Sequence, residues 1–367
     1  MIMAYSTIII AGGGIIGNSI AYYLAKRGIS CTIIDPVGIA PAASGKGGGF
    51  LARNWSDGCT IQDLQRRSFD LHAELANHFG ADTIDYRRLE CISVSCDESN
   101  VKKKPSGKKL EGVEWADMNA VGCQKLGGND TIAQVHPKKL CNAMWKFSQE
   151  SVGSKLVVGK VVRGIVKDGS IRGVQLHDST IIDGDALVVA CGPWTDSAQS
   201  WFGIDNEHKL PQMQGVKYHS ILIKSPRVLN QSVFFQGHGD PEVYPRPDGD
   251  AYITGFPDPA IIVTELPGME EVRSEKVYQL IDATKKTSSE LGDIPPHTSQ
   301  ACYLPTTKGG IPIIGHIPGV HGAYVASGHG CWGILNGPAT GEAIAELLMD
   351  GKTMSLDLSL FEVSSQQ

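Results

Sequence analysis

The chain has 367 residues, 41% of them hydrophobic and 20% charged, with a formal net charge of −6. That is ample apolar material for a packed core, and the acidic balance argues against a nucleic-acid partner. Glycine is the outlier, at 43 residues where average usage gives about 26, without the G-X-Y period of collagen. The nine cysteines are scattered and show no CxxC or metal-type spacing, which points to a reduced, cytoplasmic setting and no metal.

The first charged residue is Lys26, so residues 1–25 have to be weighed as a membrane span. Gly12, Gly13, Gly14, Gly17, Asn18 and Ser19 argue instead for a buried strand followed by a buried helix, and no transmembrane segment is expected. Residues 6–11 (STIIIA) suit a central parallel strand. The run Gly12-Gly13-Gly14-Ile15-Ile16-Gly17 fits G-x-G-x-x-G. A helix over 16–27 follows, with Ile16, Ile20, Tyr23 and Leu24 on one face and Gly28 as its cap. A second strand over 30–34 ends in Asp35.

In that order each glycine has a task. Gly12 permits the tight turn, Gly14 admits a pyrophosphate, and Gly17 lets helix and strand approach. The backbone at Ile15 and Ile16 opens the helix toward the phosphates. Asp35, 18 residues beyond Gly17, is placed to bind ribose hydroxyls, which fits NAD or FAD and disfavours NADP. Farther on, Lys102, Lys103, Lys104, Lys108 and Lys109 read as a solvated loop.

Four more segments carry a family resemblance. They are Ala43-Ser44-Gly45-Lys46-Gly47-Gly48-Gly49-Phe50-Leu51; residues 186–194, ending Ala190-Cys191-Gly192-Pro193-Trp194; Gly310-Ile311-Pro312-Ile313-Ile314-Gly315; and residues 326–334, ending Gly328-His329-Gly330-Cys331-Trp332-Gly333-Ile334. Together with the first glycine loop they resemble the D-amino-acid-oxidase/glycine-oxidase/sarcosine-oxidase superfamily of FAD enzymes. Residues 43–51 and 328–334 look closest to a little-characterised fungal and plant subgroup.

The resemblance implies an α/β fold. A discontinuous Rossmann-like FAD-binding domain with a parallel sheet would comprise residues 1–80, 140–200 and 305–360. A substrate domain, residues 81–139 and 201–304, would roof the flavin with a mainly antiparallel sheet. Its strands are expected over 89–95, 216–223, 232–236, 242–246 and 251–256, with a hairpin turn at 247–250. Helices are expected over 138–148, from 270 to about 291, and over 341–348. Ser44, Gly45, Lys46, Gly47 and Gly48 would pass the pyrophosphate, Val162 would meet adenine through its backbone, and Ala190, Gly192 and Trp194 would close the site. A helix start near Gly333 would face the flavin edge, with Gly328 through Ile334 around it.

On the substrate side, alternation puts Tyr244 and Arg246 on one strand face. With Lys46, His329 and Trp332 they are the catalytic candidates. Two departures from the family matter. Leu304 stands where glycine-oxidase-like relatives carry a carboxylate-binding Arg, so Arg246 or Arg53 would have to replace it. No Lys stands near residue 253, where sarcosine-oxidase-like relatives place one for oxygen, leaving Lys46 to serve. Cys302 sits near the position of covalent flavin attachment in some relatives, although a non-covalent FAD is expected.

The implied function is oxidation of a C–N bond in a small amine or amino acid, by hydride transfer to flavin N5, with O2 as acceptor giving H2O2. Neutral amines supply their own electrons, so no dedicated base is needed. The alternatives are a dehydrogenase with another acceptor and a weakly active FAD-bound scaffold.

Overall fold

A computed structural model describes residues 5–99, 110–203 and 209–365. The lysine run at 102–109 lies outside them.

The first strand, Ile8–Ala11, is hydrophobic at every position because both of its faces are covered. Ile8 and Ile10 enter one core, and Ile9 and Ala11 enter another on the opposite side of the sheet. This strand pairs in parallel with Cys31–Asp35 on one side and Ala186–Val189 on the other. Lys155–Val158 and Ala323–Ser327 extend the parallel set, and Ile313–His316 closes the six-stranded sheet as an antiparallel edge.

Helices Ile15–Lys26, Pro137–Val152 and Gly333–Asp350 cover one face. A small sheet of Val161–Lys167, Ser170–Leu176 and Ile181–Asp183 covers the other with Val161, Ile171 and Val174. Lys155–Val158 and Val161–Lys167 thus belong to different sheets. Gly159 donates to the Asp35 carbonyl at 3.0 Å, and the chain changes sheets at that point.

A second large sheet is built on the long strand Met213–Lys224, flanked by Thr298–Thr307 and Asp250–Gly255. It continues through Glu242–Pro245, Gln231–Gln236, Glu90–Cys96 and Ala120–Gly127. Every pairing is antiparallel except that of Gln231–Gln236 with Glu90–Cys96. The expected hairpin at 247–250 is present, with Arg246 N–H donating to the Asp250 carbonyl and Gly249 N–H to that of Arg246. Helix Ser274–Thr287 packs its Leu280 into this sheet's core.

The last helix runs Gly333–Asp350, so residues 341–348 are only its second half, and Pro338 lies inside it. The Ala339 N–H donates to Ser68 Oγ at 3.0 Å. Arg67 grips Glu342 through two bonds of 2.9 and 2.8 Å, tying helix Gln62–Phe79 to this one.

Gly341 marks where the last helix crosses Ile15–Lys26: a Cβ there would lie 2.5 Å from the backbone carbon of Ser19. The helices must move apart to admit even one methyl group, and overpacking of this kind costs about 1–3 kcal/mol. Gly341→Ala is thus expected to lower unfolding stability by that amount in a denaturant titration, although Ala is the better helix former.

Candidate active site

One cavity of about 560 Å³ opens at the carboxyl ends of the parallel strands. The chain places Cys31–Asp35 on one side of Ile8–Ala11 and Ala186–Val189 on the other, and such a switch point leaves a crevice for a ligand. Gly12 sits at φ +117°, and a Cβ on it would fall 2.2 Å from the Ala190 carbonyl oxygen. Gly17 lies below the loop, where a Cβ would come within 2.0 Å of the Gly12 oxygen. These contacts set the loop hard against the neighbouring strand and let the helix begin beneath it.

Asp35 is buried at the cavity wall. Its Oδ2 accepts from Gly13 N–H and its Oδ1 from Val37 and Gly38 N–H, each at 2.9 Å. The carboxylate thus braces the loop at the edge of the ribose-sized end. Ser44 Oγ accepts from Ile15 N–H at 2.9 Å, joining the second glycine loop to the start of the first helix. Nothing in the sequence pattern announces that bond.

Most of the expected cofactor residues come together around this cavity. Gly12, Gly14, Ile15, Ile16, Ser44 and Asp35 line one stretch, and Gly47 and Gly48 lie along the second loop. Ala190, Gly192 and Trp194 form a side wall. His329 through Ile334 form the far floor, at the start of the last helix. Backbone at Gly192 and Gly330 faces open space, since a Cβ at either meets nothing within 4 Å.

Five expected cofactor residues, Lys46 among them, lie outside the cavity lining. Val161 lines the cavity and the Val162 side chain is exposed, as alternation along a strand requires; the contact expected of Val162 is through its backbone, on which side-chain direction does not bear. Gly17 and Gly45 are set against backbone, and Gly328 lies behind the wall, a Cβ there falling 2.8 Å from Thr307.

Two expected catalytic groups are also turned away. Lys46 Nζ contacts Glu270 Oε2 at 2.5 Å and donates to the Ala301 carbonyl at 3.0 Å. Gln300 returns a bond of 2.7 Å to the Lys46 carbonyl. Lys46 is therefore a strut between the loop and the second sheet. Arg246 follows the end of strand Glu242–Pro245 and donates to the Gly47 carbonyl at 3.1 Å, 5.7 Å from the Tyr252 ring centre. It supports the loop from behind, and burial lowers its pKa. Arg53, the other substitute for the missing clamp, pairs with Asp70 near the surface.

Beyond the loops the cavity widens into an aromatic chamber. Phe50 stacks on Tyr244 at 5.3 Å and 19°, and Tyr244 stacks on Tyr252 at 5.9 Å and 23°. Trp55 meets Phe234 at 5.2 Å and Trp332 edge-on at 6.1 Å. Into this chamber projects Glu242, which accepts a hydrogen bond from the Tyr244 hydroxyl. Burial raises the Glu242 carboxyl pKa, and the tyrosine bond partly offsets this. The Cys331 thiol is pushed up to about 11, first by burial and then by the Glu242 charge.

Glu242, Phe50, Trp55, Phe234 and Tyr252 were not singled out from sequence. For Glu242 a signal existed, because it lies two residues before Tyr244 on the same strand face. His329 is buried, its Nε2 lies 3.0 Å from Thr340 Oγ1, and burial pushes its pKa down to about 3, so it is neutral. Leu304 and Cys302 both reach the cavity from strand Thr298–Thr307. Burial pushes the Cys302 thiol up to about 12.

A strand–glycine-loop–helix unit whose crevice continues into a chamber roofed by a second sheet defines a dinucleotide-cofactor oxidoreductase of the flavin type. Residues 7–347 match the family FAD dependent oxidoreductase (DAO), and the chain belongs to that family. C1F5.03c of Schizosaccharomyces pombe, described as an oxidoreductase, is 32% identical over 97% of both chains. In fold the chain is similar to glycine oxidase from Geobacillus kaustophilus (TM-score 0.81, 21% identity, 98% of both chains). It is also similar to L-proline dehydrogenase from P. horikoshii (TM-score 0.78, 21% identity, 98% of this chain and 97% of that one). Among the described residues no helix is long and apolar enough to cross a membrane, and no group of three His, Cys, Asp or Glu could hold a metal.

The strut gives a test of the Lys46 placement. Removing one partner of a buried pair costs about 3–5 kcal/mol, whereas removing both costs much less. Lys46→Met is expected to lose stability in that range, and Lys46→Met with Glu270→Gln to regain most of it, in a double-mutant unfolding cycle.

Proposed function

We propose that this protein oxidises the carbon–nitrogen bond of a small amine, with O2 as acceptor and H2O2 as product. The observation that carries this reading is the chamber: aromatic walls and one carboxylate at the end of a cavity shaped for a dinucleotide. FAD, when bound, supplies the two-electron hydride acceptor.

The chain's own residues have distinct parts. Gly12, Gly14 and the helix start at Ile15 and Ile16 receive the pyrophosphate. Asp35 takes the ribose, with Val161 beside the adenine. The start of the last helix, from Gly330 to Ile334, would lie beside the flavin and favour negative charge on it through its free N–H groups and dipole. His329, held neutral, fills the floor without adding charge. Phe50, Tyr244 and Trp332 exclude water and hold the amine's α-carbon toward the ring.

A protonated amine has no lone pair to give. Glu242 can take the ammonium proton on its carboxylate, with Tyr244 steadying the other charge state through its hydroxyl. The freed nitrogen pair then forms the C=N bond as the α-hydrogen leaves with its two electrons. Those two electrons, the proton that left with them and the proton taken by Glu242 together convert O2 to H2O2, leaving the iminium as the organic product.

A second reading, a dehydrogenase with another acceptor, draws on Lys46. Its ammonium is committed to Glu270, so it is not the cation that sarcosine-oxidase-like relatives set over the ring.

Anaerobic mixing of the FAD-loaded protein with a panel of amines and amino acids is expected to bleach the flavin absorbance with at least one amine. Admitting air then separates the readings: fast recovery with peroxide supports the oxidase, and slow recovery the dehydrogenase. Failure of every compound to bleach the flavin contradicts both and favours a scaffold role. Acid precipitation is expected to leave the yellow colour in the supernatant; colour in the pellet would mean attachment through Cys302.

A further inference from the structure

The chamber's charge and walls narrow the kind of amine, and this inference rests on the reading just given. We infer that the substrate is an amine bearing no carboxylate, held as a cation by Glu242 inside an aromatic cage.

The walls come first. Trp55, Phe234, Tyr244 and Tyr252 form a continuous series of rings, with neighbouring centroids 5.2, 5.7 and 5.9 Å apart. Trp332 closes the side nearest the last helix. Ring faces attract an alkylammonium group through their quadrupoles, more strongly where water is excluded, and repel an anion. The rings pack on one another, Tyr244 against both Phe50 and Tyr252, and together give the chamber an aromatic lining that favours an alkylated ammonium over an anion.

The charge comes second. Glu242 enters the same space with one hydroxyl partner from Tyr244, so its carboxylate retains capacity for a further donor. A desolvated carboxylate with so little compensation is costly unless a cation joins it. Its field already reaches the cavity's thiol and phenol groups: Cys331 and Tyr218 are both pushed up, by burial first and Glu242 second.

The missing counter-charge comes third. Among the described residues lining the cavity, Lys160 and neutral His329 are the basic side chains. Lys160 stands next to Val161 at the adenine end and pairs with Glu265 at 3.6 Å. Lys46 is paired with Glu270, and Arg246 and Arg87 stand outside the cavity lining, donating to the carbonyls of Gly47 at 3.1 Å and of Leu229 and Pro245 at 2.9 and 2.7 Å. An α-carboxylate placed beside the amine would meet Leu304, ring faces and the like charge of Glu242. An amino acid is therefore rejected, while an amine with apolar substituents satisfies every wall.

The test uses matched ligands that cannot be oxidised. Isothermal titration calorimetry of the FAD-loaded protein is run with benzyltrimethylammonium and with benzoate, on wild type, Glu242→Gln and Trp55→Leu. Wild type is expected to bind the cation and to bind benzoate more weakly. Glu242→Gln, which keeps the side chain's shape, is expected to weaken the cation about tenfold or more and to improve benzoate. Trp55→Leu is expected to weaken the cation without improving benzoate.

Tighter binding of benzoate than of the cation by wild type, no binding of the cation, or a Glu242→Gln variant with unchanged cation affinity each overturns the inference. Such a result leaves C–N oxidation standing if an amino acid bleaches the flavin. Conversely, cation binding without bleaching by any amine removes the oxidation reading and keeps the cage.

Discussion

The site depends on the parallel registration of three strands. Ile8–Ala11 must lie between Cys31–Asp35 and Ala186–Val189 with their carboxyl ends level, because only then do Gly12, Asp35 and Ala190 reach the same crevice. The Gly12–Ala190 approach fixes that arrangement at one point. A side chain at Gly12 would separate the loop from the neighbouring strand and shut the crevice. The last helix then packs across the first through Gly341, and this places its start at the far end of the same cavity. Segments more than 300 residues apart thus form the two ends of one site.

The second sheet contributes a different kind of constraint. Its strands present rings rather than charges to the cavity, and the basic side chains closest to the chamber are turned outward into structural bonds. Lys46 and Arg246 both serve the second glycine loop, one as a strut to the roof and the other as a support beneath Gly47. Glu242 is the charge the chamber keeps. A fold similar to that of a glycine oxidase and a proline dehydrogenase carries here a chamber lined by rings and one carboxylate.

Much of this was legible in the sequence, for identifiable reasons. The first strand, the glycine loop, its helix and Asp35 follow each other within 30 residues, so local pattern and tertiary role coincide. Five strands of the second sheet alternate clearly enough to be found within a few residues of their ends, whereas Ala120–Gly127 and Thr298–Thr307 carry no such signal. Lys46 was misread because its partner, Glu270, is 224 residues away and leaves no local mark. Arg246 was misread because the strand ends at Pro245, so two-residue alternation no longer applies beyond it. A backbone contact such as that expected of Val162 leaves no mark in side-chain pattern, and alternation speaks only to the Val161 side chain that lines the cavity. Glu242 was passed over although it shares Tyr244's face, because a carboxylate beside a turn reads as a surface residue until the sheet packed against it is known.

One continuous cavity would hold the dinucleotide and present the far end of the flavin to the Glu242 chamber. A crystal structure of the FAD-loaded protein is the decisive measurement. The adenine end is expected beside Val161, the pyrophosphate at the helix start near Ile15, and the flavin ring over residues Gly330 to Ile334 with Glu242 and Tyr244 facing it across open space. A ring bound away from the last helix, or a chamber closed off from the ring, would contradict this arrangement.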